Sequence, residues 1–152
     1  MPTTDYAIRD VQPGDRAPWQ ELWAEYLVFY KADLPAEHTG HLWQRILDEG
    51  DPIACTVAEV DGAVVGIANY YPHPDTWEDG PVCYLEDLYV DESHRRNGIG
   101  KALIEDLRQR CLRNGWLRLH WDTTTDNARA RSVYDELTGG TNGFIGYEIE
   151  TR

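Results

Sequence analysis

The chain has little lysine: of its 14 basic residues only Lys31 and Lys101 are lysines, set against 27 acidic residues for a net charge of −13. A surface of that sign repels phosphate polymers, so no nucleic-acid partner is expected. Long apolar runs are missing as well. None approaches the roughly 18 residues of a spanning helix, so no membrane partner is expected. The 3 cysteines, Cys55, Cys83 and Cys111, are odd in number and match no zinc spacing. The 5 histidines form no ligand pattern; His38 and His41 could share a helix face, but two ligands make an incomplete site. No metal is therefore expected. The opening MPTTDYAIRD lacks a basic region followed by an apolar core, so no signal peptide is expected and the cytoplasm is the default location.

What is present suits one domain over residues 1–152. The chain is 41% hydrophobic and 27% charged, long enough to bury a core without disulfides or metal. The acidic excess has two readings: it draws in a cationic substrate, or it serves solubility and salt adaptation.

Periodicity gives the order of elements. Residues 6–10 alternate and read as a strand. Over 14–30, Trp19, Leu22, Trp23, Tyr26, Leu27 and Tyr30 fall at helical spacing, with Pro18 in the first turn. A second helix is expected over 36–49, ended by Gly50 and Pro52. Residues 53–60 and 63–71 are strand-like, and the Asp61-Gly62 between them signals a tight hairpin. Residues 82–90 form another strand, 98–113 a helix stopped by Gly115, and 117–121 a strand. Asp126 or Asn127 caps a short helix running to residue 137. A last strand is expected over 144–150. The order β-α-α-β-β-β-α-β-α-β implies an α/β (α+β) fold, with a mixed, mostly antiparallel central sheet and helices on both faces.

One loop speaks to chemistry. Arg95-Arg96-Asn97-Gly98-Ile99-Gly100-Lys101 joins a strand to a helix. Free amides at a helix N-terminus favour an anion such as a diphosphate. Glycines at 98 and 100 let the backbone approach it without a Cβ in the way. The alternative is a glycine turn beside an exposed basic pair. The loop is neither a Walker P-loop nor a G-x-G-x-x-G fingerprint.

Tyr84-Leu85-Glu86-Asp87-Leu88-Tyr89-Val90 followed by this loop resembles the core motif of the GNAT superfamily of N-acetyltransferases. Trp121-Asp122-Thr123, then Asn127 and Tyr134, are similar to the family's next strand and helix. Within the superfamily the resemblance is to diamine (spermidine/spermine-type) acetyltransferases and small fungal histone or polyamine acetyltransferases. It implies acetyl-CoA as cofactor. The pantetheine arm would lie along Leu88, Tyr89 and Val90, and the diphosphate would sit on Arg95, Arg96, Asn97, Gly98, Ile99, Gly100 and Lys101. Asn127 and Ala130 would contact the cofactor, although a helix cap would also explain Asn127. Dimers are common in the family, which implies a homodimer.

An alkyl ammonium of pKa about 10 must lose a proton before it attacks a thioester. Glu86 is the candidate for that route, because a carboxylate in an apolar strand is costly without a task. Asp87 lies on the opposite face by simple alternation, a phase that the bulge implied by the resemblance would shift; it is the second candidate and a candidate substrate contact. Tyr134 is the candidate general acid for the departing thiolate, although core spacing would also explain it. A covalent route through Cys83 would need a base beside it, and a lone strand cysteine reads as a small core residue. The resemblance implies an acceptor site beside the first two helices and the loop before the Glu86 strand, which brings in Tyr30, Asp33, Trp77 and Glu78; aromatics with carboxylates suit a cation. Three functions stay distinct: acetylation of a small amine, acetylation of protein lysine, and a non-catalytic acyl-CoA-binding module.

Overall fold

The computed structural model describes residues 5–152. The chain divides into two compact units, one ending at Trp121 and the other running from Asp122 to Arg152. Among the described residues no helix is long and apolar enough to cross a membrane.

The first unit holds β1 (Ala7–Asp10), α1 (Arg16–Phe29), α2 (Ala36–Leu47), β2 (Ala54–Val60), β3 (Ala63–His73), β4 (Val82–Val90), α3 (Ile99–Asn114) and β5 (Leu119–His120). Its five-stranded sheet has the order β1-β2-β3-β4-β5, antiparallel except for the β4–β5 pair. The β2–β3 hairpin turns where its sequence demands. Asp61 and Gly62 both take positive φ, 50° and 82°, the combination that matches strand twist in a two-residue loop.

Each face of the sheet buries its own layer. On one side Trp19, Leu22 and Trp23 of α1 and Trp43 and Ile46 of α2 pack with Cys55, Val57 and Ile67. Trp19 and Trp23 stack with centroids 5.9 Å apart. On the other side lies α3, which buries Ile99, Leu103, Ile104, Leu107 and Cys111. Gly66 of β3 sets how close α3 comes. A Cβ there would lie 3.3 Å from a Leu103 methyl and in ordinary contact with Ile99 at 3.5 Å, so the Leu103 side chain would have to give by a few tenths of an ångström.

The second unit contributes α4 (Ala128–Thr138). The strand expected over 144–150 does not form, so the element order ends β-α. A strand is marginal without neighbours, and this unit contains no second strand to pair it. Its apolar residues stay in water: Tyr147 and Ile149 are both 89% exposed. The strand expected over 117–121 shrinks to Leu119–His120, which pairs only with Cys83 and Tyr84.

Candidate active site

The site is organised by one extra residue in β4. Asn69 of β3 lies opposite Asp87, and Tyr70 opposite Leu85, so Glu86 has no partner. It is a β-bulge, and a bulge shifts the phase of the side chains that follow. Before it, the Cys83 thiol meets Cys111 of α3. After it, Tyr89 packs with the core of α1 and α2, and the Asp87 carboxylate accepts hydrogen bonds from Asn69 (3.1 Å) and Tyr26 of α1. Strict alternation had put Asp87 on the face away from Glu86. The bulge corrects that: Glu86 accepts a hydrogen bond from Tyr71, and its charge acts on both Asp87 and Tyr26.

Environment separates the two carboxylates. Glu86 is exposed. Asp87 is desolvated, which raises its pKa from 3.8 to about 6; the Asn69 and Tyr26 hydrogen bonds oppose the rise and the Glu86 charge adds to it. Tyr26 is itself held protonated by burial and by Asp87. Desolvation and its bond to Glu86 push the Tyr71 phenol up to about 12.

The bulge also opens an edge. Asp91 N donates to Val65 O at 2.8 Å. Bonding residues alternate along an antiparallel ladder, so Leu88 and Val90 turn their N–H and C=O groups away from β3. On that side β5 reaches only Cys83 and Tyr84. Arg95 Nε donates to Val90 O at 3.0 Å, and its guanidinium lies over the Tyr89 ring, 5.2 Å from the centroid. That leaves both polar groups of Leu88 and the N–H of Val90 directed at the open side.

The strand then passes into a glycine turn. Arg96 and Gly98 have φ of 69° and 77°. Gly98 caps α3, whose first-turn amides have no partner within the helix. A Cβ at Gly98 or Gly100 would meet none of the described residues within 4 Å, so the turn faces open space there. An outward-facing strand edge that continues into a helix N-terminus flanked by Arg95, Arg96 and Lys101 fits an extended, diphosphate-bearing cofactor such as coenzyme A.

Other candidate residues have defined places. Tyr30 ends α1 against Tyr26, with centroids 4.9 Å apart, and so joins the Asp87 cluster. Asp33 is exposed between α1 and α2. Trp77, on the loop before β4, is 81% exposed. Glu78 on the same loop is 3.4 Å from Arg118, which also binds Asp75 at 2.7 Å, so its charge is already partly matched. In the second unit Asn127 caps α4: its Oδ1 accepts from Ala130 N at 3.4 Å and its Nδ2 donates to Thr123 at 3.1 Å. Tyr134 is half-buried on that helix. Cys83 is no nucleophile, because Cys111 and burial hold its thiol protonated.

Sequence reasoning missed Asn69, Tyr71 and the imidazole pair His73–His120, whose Nε2 atoms are 2.9 Å apart. Asn69 alone left a signal, as a polar residue inside the apolar run Val-Val-Gly-Ile-Ala-Asn-Tyr-Tyr.

This chain belongs to the acetyltransferase (GNAT) family, whose model matches residues 15–139. Membership makes it an acetyl-CoA-dependent N-acetyltransferase. It is 31% identical over 140 residues to the D-amino-acid N-acetyltransferase HPA3 of Saccharomyces cerevisiae, an alignment covering 91% of this chain and 87% of that one. It is 35% identical over 91 residues to the thialysine N-epsilon-acetyltransferase of Bos taurus, covering 55% of this chain and 53% of the relative. In fold it is similar to AAC(6')-Iy solved with the bisubstrate analogue CoA-S-monomethyl-acetylneamine, with a TM-score of 0.82, 21% identity and 97% and 99% of the two chains covered.

Proposed function

We propose that the enzyme transfers acetyl directly from acetyl-CoA to a primary amine of a small cationic acceptor, a polyamine or an amino-acid-like compound. One observation carries the reading: the Glu86 bulge sets two carboxylates, Glu86 and Asp87, immediately before the open edge at Leu88 and Val90. Anionic groups and the ring faces of Tyr26 and Tyr30 suit an ammonium. The relatives named for D-amino acids and thialysine support an acceptor of that size.

In this reading Leu88, Tyr89 and Val90 hold the pantetheine arm, and Arg95 through Lys101 hold the diphosphate. Asn127 and Ala130 contact the cofactor from α4. Bound acetyl-CoA supplies the thioester that the amine attacks. The carboxylates at the bulge take the proton from the acceptor ammonium, with Glu86 as the residue that meets it. The Tyr134 phenol donates a proton to the departing thiolate.

An amine panel run with acetyl-CoA beside a lysine-peptide panel, with thiol release as the readout, tests the proposal. Polyamines or amino acids should turn over well ahead of peptides. Peptide preference would move the assignment to a protein lysine acetyltransferase. Release with neither acceptor, despite tight acetyl-CoA binding, would leave only a binding module.

A further inference from the structure

The Asp87 cluster contains a polar atom that the reading above leaves unexplained. Asn69 is 2% exposed, and its Oδ1 is buried without a hydrogen-bond partner, while its Nδ2 donates to Asp87. A buried unpartnered amide oxygen costs about 1–3 kcal/mol, so one state of the site should use it.

We propose that the proton removed from the acceptor ammonium comes to rest on Asp87, and that Asn69 is the positioning residue that holds Asp87 in either protonation state. The inference rests on the reading that the acceptor amine docks at the Glu86 bulge. In the transfer an N–H bond of the ammonium breaks and its electron pair stays on nitrogen. An O–H bond forms on the Asp87 carboxylate, directly or by way of Glu86. The products are a neutral amine and a carboxylic acid. Before transfer the amide Nδ2 donates to the carboxylate. Afterwards a half-turn about the Asn69 Cβ–Cγ bond brings Oδ1 round to accept the new O–H. The amide is the one uncharged side chain that offers a donor and an acceptor of the same size from the same place.

The direction of proton flow fits the site. Desolvation lets Asp87 bind a proton more tightly than a solvated carboxylate does, which narrows the gap to an ammonium of pKa about 10. At about 6 it is still a carboxylate at neutral pH and free to accept. The titrating groups around it are Glu86 on its own strand, Tyr71 on β3, Tyr26 on α1 with Tyr30 behind it, and Cys55 on β2. Burial holds the Cys55 thiol and the Tyr26 and Tyr71 phenols protonated, and the neighbouring charge that acts on Asp87 is that of Glu86.

The test compares Asn69→Leu, Asn69→Ser, Asp87→Asn and Glu86→Gln, each checked for native near-ultraviolet circular dichroism. Two quantities are read: the pH profile of kcat/KM, and the 13C carboxyl shift of Asp87 in the substrate-free protein. Asn69→Leu removes the donor that favours the charged form, so the Asp87 carbon and the acid limb of the profile should both move upward by at least half a pH unit. Asn69→Ser, which keeps a donor, should restore both toward wild type. Asp87→Asn should lower kcat about 100-fold and abolish that limb. An Asp87 carbon that titrates unchanged in Asn69→Leu overturns the role of Asn69. Loss of activity in Glu86→Gln with full activity in Asp87→Asn overturns the proposal but keeps the acceptor at the bulge. Full activity in both removes the bulge from the chemistry altogether.

Discussion

The two halves of β4 have the same backbone neighbour on one side and nothing in common on the other. Val82, Cys83 and Leu85 are buried, and the first half pairs with both β3 and β5. From Asp87 to Val90 the residues are half-buried, and among the described residues β3 is the only strand alongside. Glu86 is the boundary. An open strand edge normally invites aggregation. Here it is short, carries two adjacent carboxylates at its start, and runs into a glycine turn. A single unpaired residue thus converts a packing strand into an open edge, and it turns Asp87 toward the α1 side where Tyr26 and Asn69 can reach it.

The harshest way to break the contrast is to delete Glu86. One-to-one pairing would return with Asp87 to Val90 still opposite Asn69 to Gly66, so the deletion takes away the Glu86 carboxylate and the local kink of the strand while leaving the register beyond it in place. Turnover should fall by ~10³-fold or more, the scale of losing acid–base chemistry, in a thiol-release assay on protein whose far-ultraviolet spectrum is unchanged. A deletant with wild-type kcat would mean the bulge does nothing for catalysis. A smaller loss sharpens the contrast from outside β4. If the open half only binds and takes up protons, the thiolate needs its proton from elsewhere, and Tyr134→Phe should lower kcat ~10²-fold with acetyl-CoA affinity unchanged by calorimetry. An unaltered rate would remove Tyr134 from the mechanism. At the far end of the edge, Gly98 has φ of 77°. Gly98→Val would strain that position by about 1–3 kcal/mol and should weaken acetyl-CoA binding ~10- to 100-fold. Normal affinity in the variant would show that the turn does not hold the diphosphate.

Much of the fold was legible where local chemistry decides it. Asp61-Gly62 gave the hairpin, the tryptophan spacing gave α1, and Gly115 stops α3 with a φ of 71°. The motif from Tyr84 to Leu103 pointed to the family. Tertiary pairing decided the rest. Alternation at 144–150 was real, but a strand also needs a neighbour, and none stands beside it in its unit. The phase of Asp87 stayed open, between simple alternation and a bulge, because a bulge is a property of two strands together: that Leu85 and Asp87 face consecutive residues of β3 shows only once the register is known. Asn69 stands out in the sequence as a polar residue in an apolar run, but its tie to Asp87 was hidden for the same reason, since the two meet only across the strand pair.

The smallest effect expected is one of stability, and its sign separates the halves of β4 most cleanly. Burial raises the folded-state pKa of Asp87 from 3.8 to about 6. A carboxyl shifted upward stabilises the fold in its protonated form. That contribution is complete below about pH 4 and is lost as pH rises through about 6. At pH 8 the charged Asp87 therefore works against folding. Two pH units are worth nearly 3 kcal/mol at most, and Asp87→Asn gives up part of that through weaker bonds to Asn69 and Tyr26. A net gain of about 1 kcal/mol in urea denaturation at pH 8 should remain, shrinking to nothing or reversing at pH 4. Cys83→Ala, in the closed half, should instead lose about 1 kcal/mol at both pH values, because it only empties packing space against Cys111. If Asp87→Asn changed stability equally at both pH values, Asp87 would be an ordinary buried polar residue and the open half would carry no stored strain for catalysis to use.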